Sequence, residues 1–429
     1  MNRREFLGAG AGLAMGAALA RTGAAREKTV RVGVIGTGNR GRAHVAELLR
    51  MPGVEVPAVC DVIPEAAEAA RELARKAGRP EPEAHTNGEL DYRRLVERDD
   101  LDAVIIATPW NWHTPMAVDA MRAKKCAGIE VPAAVTLEEC WTLVNTCEET
   151  GTPCMMLENW SFRRDNLAVL NMVRQGLFGE VAHCHCAYAH DCVAGWMFDA
   201  QGNDRWGAKF IEKKNCDQYP THSQGPVLSW MDINHGDAYA TVSSTATGGW
   251  GINAYFRRVF GPDHPNSTRK FAQGDIVTSV VRTHKGKTIV IHYDIQLPRP
   301  YDNRWLLQGT MGVYSHEHNA LYLEGKSPEN HQWEPFAPYQ DKYDHPWWKS
   351  MDADAAASGH GGTDSLTLGL FINAVREQSP MPVDVYDSAT MSSIVGLSEL
   401  SIAKGGIPVD CPDFTRGAWK TKKPAFGVF

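Results

Sequence analysis

The stretch Gly36-Thr37-Gly38-Asn39-Arg40-Gly41 constrains this chain more than any other, because of what flanks it. Val30 to Gly36 is a short apolar, β-branched run that reads as a buried strand, and a helical pattern follows the last glycine. Glycines at that spacing between strand and helix permit a tight turn, close approach of a ligand to the backbone, and a helix N-terminus aimed at a pyrophosphate. Asp61 ends the next predicted strand, about 20 residues past the last glycine, where a carboxylate holds a ribose 2′-hydroxyl and repels a 2′-phosphate. The pattern predicts a dinucleotide loop built on Gly36, Gly38 and Gly41, with NAD favoured over NADP.

The same texture continues to about Asn159. Val54 to Asp61, Leu101 to Thr108, Cys126 to Val131 and Pro153 to Asn159 read as further buried strands. Between them His44 to Met51, Pro64 to Ala77, His113 to Lys124 and Leu137 to Thr150 carry apolar residues at helical spacing. Repeated units of this kind predict a parallel sheet with helices on both faces, a Rossmann domain over 29–159. A helix over Asp165 to Phe178 and a strand over Glu180 to His190 then lead into alternating strands. These run over Thr241 to Thr247, Ile276 to Thr283, Thr288 to Gln296 and Trp305 to Tyr314, with a hairpin turn at Lys285-Gly286-Lys287. Two helices follow, Thr363 to Gln378 and Asp387 to Lys404. The expected class is α/β: an N-terminal Rossmann domain with a parallel sheet, and a C-terminal α+β domain over 160–429 with a mostly antiparallel open sheet for substrate and oligomerisation.

The formal charge of -7 and the absence of long basic runs argue against nucleic acid as a partner. No apolar segment after residue 25 approaches the ~20 residues needed to span a bilayer, so no membrane span is expected in the mature chain. Residues 1–25, with Arg3-Arg4-Glu5-Phe6-Leu7, a Gly/Ala-rich run and Ala18-Leu19-Ala20, read as a twin-arginine signal peptide. They imply the twin-arginine export machinery as a partner and a periplasmic or otherwise exported location. Because that route carries folded proteins, the ten cysteines are expected to be mostly free, buried thiols. The cluster His183-Cys184-His185-Cys186 divides between two faces of a strand, so no metal is expected there.

Gly36 to Gly41, Thr108-Pro109 with His113, and the two-domain texture resemble the Gfo/Idh/MocA oxidoreductases. Trp110-Asn111-Trp112-His113-Thr114-Pro115, Cys154 to Asn159, Tyr219-Pro220-Thr221-His222 and Ser358 to Asp364 further resemble glycoside hydrolase family 109, whose members are NAD-dependent α-N-acetylgalactosaminidases. The resemblance implies that Asn39, Arg40, Asp61, Trp110, Asn111, Trp112, His113, Glu130, Val131, Asn159, Tyr219 and His222 line the NAD. It implies that Tyr188, Tyr219 and Tyr301 face the sugar. Two departures stand out: Gly207 follows Trp206 where the family carries an arginine, with Arg205 and Lys209 nearby, and Thr363 replaces a methionine. Glu130-Val131-Pro132 also lacks the lysine that the superfamily's sugar dehydrogenases place in Glu-Lys-Pro.

An exported enzyme has no pool of free NAD, so a tightly bound coenzyme restored at each turnover suits this location. Oxidation at C3 of the sugar, elimination across C1 and C2, addition of water and re-reduction meet that demand. Tyr188 or His222 is the candidate C2 base, with the other handling the C3 hydroxyl proton. Glu158 and His360 are candidates for proton transfer to the leaving group or to water. The expected function is a redox-neutral glycosidase on α-N-acetylgalactosaminides or a related sugar. An NAD-dependent sugar or inositol dehydrogenase and a non-catalytic periplasmic sugar-binding protein are the alternatives. A homo-oligomer through the open sheet face is suggested by superfamily analogy.

Overall fold

The computed structural model describes residues 28–428. The export-signal reading falls on residues 1–25, outside the described residues.

Six short strands of branched and aliphatic residues form the first sheet: β1 (Val30–Ile35), β2 (Val54–Cys60), β3 (Glu83–His85), β4 (Ala103–Ile106), β5 (Cys126–Ile129) and β6 (Cys154–Met156). Their order is β3-β2-β1-β4-β5-β6, and every pairing is parallel. This is the predicted Rossmann sheet, and its strands are nearly continuous apolar runs because both faces are covered. The order reverses at β1, so the crevice beyond the carboxyl ends of β1 and β4 is where such sheets take their ligand. Three boundaries differ from expectation. The three-residue β3 is too short to show a pattern. The helix after the glycine loop begins at Asn39, not His44, because Asn39, Arg40 and Gly41 supply no apolar periodicity. Strand β6 ends at Met156, leaving Glu158 and Asn159 on the turn that follows.

The second sheet has nine strands: β7 (Val181–Ala189), β8 (Tyr239–Ala246), β9 (Ile276–Thr283), β10 (Thr288–Asp294), β11 (Leu306–Gly309), β12 (Gly312–Ser315), β13 (Ala320–Leu323), β14 (Glu334–Pro335) and β15 (Val409–Asp410). Their order is β14-β13-β12-β11-β7-β10-β9-β8-β15. All pairs are antiparallel except β7 with β10, whose connection is long enough to carry two further strands and several helices. Trp305 to Tyr314 is not one strand: Thr310 and Met311 turn the chain back, making β11 and β12 a hairpin.

The helix Val385–Ala403 joins the two sheets. Its serine hydroxyls accept backbone N–H groups from both sides: Ser388 from Met156 at the end of β6 (3.0 Å), and Ser401 from Ser244 in β8 (2.8 Å). Ser392 and Ser398 do the same for Ala133 and Asp217. Small polar residues let this helix run buried between the sheets while satisfying backbone donors that have no sheet partner. The sheets are therefore held in register with each other, and the site lies between them. All ten cysteines are free; six are buried and four are half-buried. Cys184 and Cys186 lie on the buried face of β7, and His183 and His185 are half-buried on the other.

Candidate active site

The glycine loop has the space a dinucleotide requires. Gly36 adopts φ +83, and a Cβ there would lie 2.6 Å from the Ala107 carbonyl oxygen. A Cβ at Gly41 would lie 1.7 Å from the Gly36 carbonyl oxygen, so this glycine lets helix and strand pack. Gly38 differs: it is exposed, with nothing within 4 Å of its Cβ position, as a backbone approached by a ligand must be. Asp61 is fixed at the end of β2. Its Oδ2 accepts from the Thr37 N–H (2.7 Å) and its Oδ1 from the Ile63 N–H (2.9 Å), which aims the carboxylate over the loop. The residues present fit NAD.

The loop after β4 is less uniform than the sequence suggests. Asn111 is exposed and Trp112 half-buried, but Trp110 is enclosed by Trp196, Phe210, Trp206 and Tyr219 at ring separations of 4.9–5.6 Å. His113 is buried with its ring nitrogens against the carbonyls of Pro132 (2.7 Å) and Thr108 (2.8 Å). Its role in this arrangement is to tie the β4 loop to the Val131-Pro132 turn after β5.

Arg40 stands in the first turn of the glycine-loop helix, and its guanidinium is shared between two carboxylates. Nε donates to Glu130 (2.5 Å); Nη1 and Nη2 donate to the two oxygens of Asp364 (2.7 and 3.1 Å). Glu130 ends β5, whereas Asp364 opens the helix Thr363–Glu377 far along the chain. Asp364 also accepts from Asn159 Nδ2 (2.9 Å) and His360 Nδ1 (2.7 Å), so one carboxylate gathers three predicted site residues. His44 Nε2 meets Glu130 at 2.7 Å. Burial opposes ionisation of Glu130 and Asp364, but Arg40 and the flanking histidines prevail and hold both far below the usual carboxylate range. Asn159 Oδ1 is buried without a hydrogen-bond partner.

The tyrosines and His222 converge beside Glu158. His222 lies in the first turn of the helix Thr221–Trp230, and its Nδ1 is 2.9 Å from both oxygens of Glu158. Gly225 makes that approach possible, since a Cβ there would lie 2.7 Å from Ser161 Oγ and 3.0 Å from Glu158 Cγ. With Nδ1 donating to the carboxylate, Nε2 carries the lone pair and takes the Tyr219 hydroxyl as a long donor at 3.4 Å. Tyr188, the penultimate residue of β7, stacks on Tyr219 at 4.6 Å and meets the His222 ring at 5.1 Å. Tyr301 edges onto Tyr188 at 5.9 Å and is 40% exposed, forming the mouth. His360 is exposed, with its ring edge-on to Trp160, which also meets His222 and Tyr301. Burial, with the Tyr219 and Cys192 groups adding to it, pushes the Tyr188 phenol well above the ordinary tyrosine value.

All four candidate catalytic residues and the three tyrosines expected to face the sugar thus lie around one centre. Sequence reasoning assigned no role to Asp364, Trp160 or His44. Asp364 stands in the quoted Ser358 to Asp364 motif, and its carboxylate at a helix start was the available signal; its partner 324 residues away was not. At Gly207 a Cβ would meet the Trp196 carbonyl oxygen at 3.0 Å and its indole at 3.2 Å. The tryptophan therefore occupies the space beside this glycine, and Arg205 and Lys209 are exposed on either side.

Comparison with known families agrees with this division. The model of the oxidoreductase family with an NAD-binding Rossmann fold matches residues 30–158, and the model of the glycosyl hydrolase 109 C-terminal domain matches 162–421. The chain belongs to glycosyl hydrolase family 109. A family 109 protein of Stenotrophomonas maltophilia is 41% identical over 99% of this chain and 98% of its own. An alpha-N-acetylgalactosaminidase of Tannerella forsythia is 40% identical over 93% of this chain and 89% of its own. Among solved structures, scyllo-inositol dehydrogenase of Lactobacillus casei, with NAD(H) and scyllo-inositol bound, superposes with a TM-score of 0.61. It is 14% identical over 89% of this chain and 99% of its own, a likeness of fold. The first domain of this glycosidase is accordingly an NAD-binding Rossmann domain.

Proposed function

We propose that this family 109 enzyme hydrolyses α-N-acetylgalactosaminides by transient oxidation, with NAD kept in the site through successive turnovers. The relative from Tannerella forsythia bears that activity in its name, and the site chemistry supports the redox route. Glycosidases that work by direct displacement need two carboxyl groups flanking the scissile bond. Here Glu130, Glu158 and Asp364 are each buried and engaged by a basic side chain, so none is free to serve as nucleophile or acid. That observation carries the proposal.

NAD, when bound, supplies a hydride acceptor for C3 of the sugar and returns the hydride to the same carbon, leaving no net redox change. The C3 ketone acidifies the C2 proton, and His222 Nε2 removes it. Glu158 holds the imidazole in the tautomer with a free Nε2 and stabilises the imidazolium that forms. Having no exposed surface of its own, Glu158 acts through His222 and not on the leaving group. Tyr188, its phenol protonated at the outset, takes the C3 hydroxyl proton as it passes its own to His190 Nδ1, 3.5 Å away, and the relay reverses when the hydride returns; Tyr219 and Tyr301 flank the sugar. His360, exposed and hydrogen-bonded to Asp364, exchanges protons between the leaving group and water. Asn39, Asp61, Asn111, Trp112, Val131 and Asn159 belong to the coenzyme wall.

We further propose export by the twin-arginine machinery, with the coenzyme already loaded, to a periplasmic or otherwise exported location. No helix among the described residues is long and apolar enough to cross a membrane. The test is purified protein with nitrophenyl α-N-acetylgalactosaminide and no added NAD. Release of nitrophenol and free sugar without NADH accumulation is expected; net NADH with no glycoside cleavage would establish a dehydrogenase instead.

A further inference from the structure

The geometry points to Arg40 as an interdomain latch, closed by Asp364, that controls how fast NAD leaves, and not as a ligand of its pyrophosphate. Three of the five guanidinium N–H groups already have carboxylate acceptors, that of Nε on Glu130 and one from each Nη on Asp364. Arg40 carries one positive charge and its two partners carry two negative ones. With His44 pushed towards its neutral form by burial and by Arg40, the group has no positive charge left to offer a phosphate. The free backbone at Gly38 and the helix N-terminus are the phosphate donors the loop retains.

The bridge crosses the coenzyme crevice. It starts on the first turn after β1, touches the end of β5, and ends on the helix Thr363–Glu377 of the second domain. These are the carboxyl ends of the strands over which a Rossmann domain holds its dinucleotide. A second tie runs beside it: Asn159, on the turn after β6, donates to the same Asp364 oxygen that Nη2 uses. Asp364 is 2% exposed and the Arg40 side chain 27%, so the pair is largely withdrawn from water, where charge-assisted hydrogen bonds hold best. Opening the crevice to release NAD breaks both ties at once.

This inference rests on the reading that NAD stays bound, and the two fail differently. Wild-type protein losing NAD within seconds during gel filtration would count against the captive coenzyme; the ratio of variant to wild-type release rates tests the latch alone. The experiment measures NAD release from loaded protein after dilution into excess unlabelled NAD, using radiolabelled NAD, for wild type, Asp364→Asn, Arg40→Gln and the double variant. The latch predicts that Asp364→Asn speeds release by about ten- to a hundredfold, the span one charge-assisted hydrogen bond commands. It also predicts that the double variant releases no faster than the faster single one. If Arg40 instead binds phosphate, Asp364→Asn frees it and slows release, which would overturn the proposal, as would an unchanged rate. Should Asp364→Asn fold poorly, Asp364→Glu keeps the charge on a longer arm: faster release than wild type upholds the latch, and equal or slower release refutes it.

Discussion

Nδ1 of His222 lies 2.9 Å from both oxygens of Glu158, a carboxylate with no exposed surface. A buried carboxylate placed behind an imidazole fixes its tautomer and steadies its cationic form, which is what a general base needs. His222→Ala should therefore lower kcat by about 10²–10⁴-fold, the usual span for a lost general base. Glu158→Gln should lower kcat with KM changed little, because Glu158 touches His222 and not the sugar. Steady-state kinetics on nitrophenyl glycosides check both; a Glu158→Gln enzyme with wild-type kcat would remove its positioning role.

Tyr188 and His222 separate by what each does to the C2 proton. Burial holds the Tyr188 phenol in its protonated form, so with a ready-made 3-keto sugar, Tyr188→Phe should retain solvent exchange at C2 while His222→Ala loses it. Proton NMR in heavy water reads this directly, and loss of exchange in Tyr188→Phe alone would reverse the assignment.

The glycines of the loop make a paired prediction. Gly41→Ala puts a Cβ 1.7 Å from the Gly36 carbonyl oxygen and should destabilise the whole domain. Gly38→Ala meets no protein atom within 4 Å, so it should fold with nearly wild-type Tm yet be purified with much less NAD. Equal NAD content in Gly38→Ala and wild type would mean that the pyrophosphate does not approach this backbone.

Asp217 supplies a pH dependence of stability. Burial raises its carboxyl to about 7, with only the Tyr219 N–H opposing, and its Oδ2 has no partner. A carboxyl with its folded value raised binds a proton that the unfolded chain gives up near pH 4. Its contribution is full at low pH and falls as pH rises through that window, by up to about 1.4 kcal/mol per pH unit, levelling above pH 7. Asp217→Asn keeps an acceptor for the Tyr219 N–H and should raise Tm at pH 8 while leaving it near wild type at pH 4. A Tm difference that is the same at both pH values would contradict this.

Trp196 fills the space at Gly207. Gly207→Arg should cost about 1–3 kcal/mol in an otherwise native chain, as overpacking does, and less in a Trp196→Ala background, which removes the indole at 3.2 Å while keeping the carbonyl oxygen at 3.0 Å. Urea melts of the two single variants and the double variant measure the coupling; additive effects would show that Trp196 is not what excludes the side chain.

What the sequence made legible follows from the range of the physics involved. The glycine loop, Asp61 and the parallel strands are local patterns, and apart from the short β3 and the end of β6 each is where periodicity and spacing put it. Cys184 and Cys186 were legible as sharing one face of their strand opposite His183 and His185, because alternation along a strand is local too. The hairpin at Thr310 and Met311 was hidden by apolar residues that run on through the turn, although Gly309 and Gly312 framed it. Asp364 and Arg40 meet across 324 residues of sequence, and the crowding of Trp110 by Trp196 and Trp206 is a contact between domains. Pairings of that kind depend on how two sheets are set against each other, which the serines of the helix Val385–Ala403 decide and no single segment reveals.

The most direct measurement uses nitrophenyl α-N-acetylgalactosaminide carrying deuterium at C3, turned over in ordinary water by protein purified without added NAD. The account predicts released sugar that keeps its C3 deuterium under a large excess of substrate, with the C2 proton exchanged in a parallel run in heavy water. Hydrolysis with no isotope effect at C3 and no exchange at C2, or loss of the label into free NADH, would contradict it.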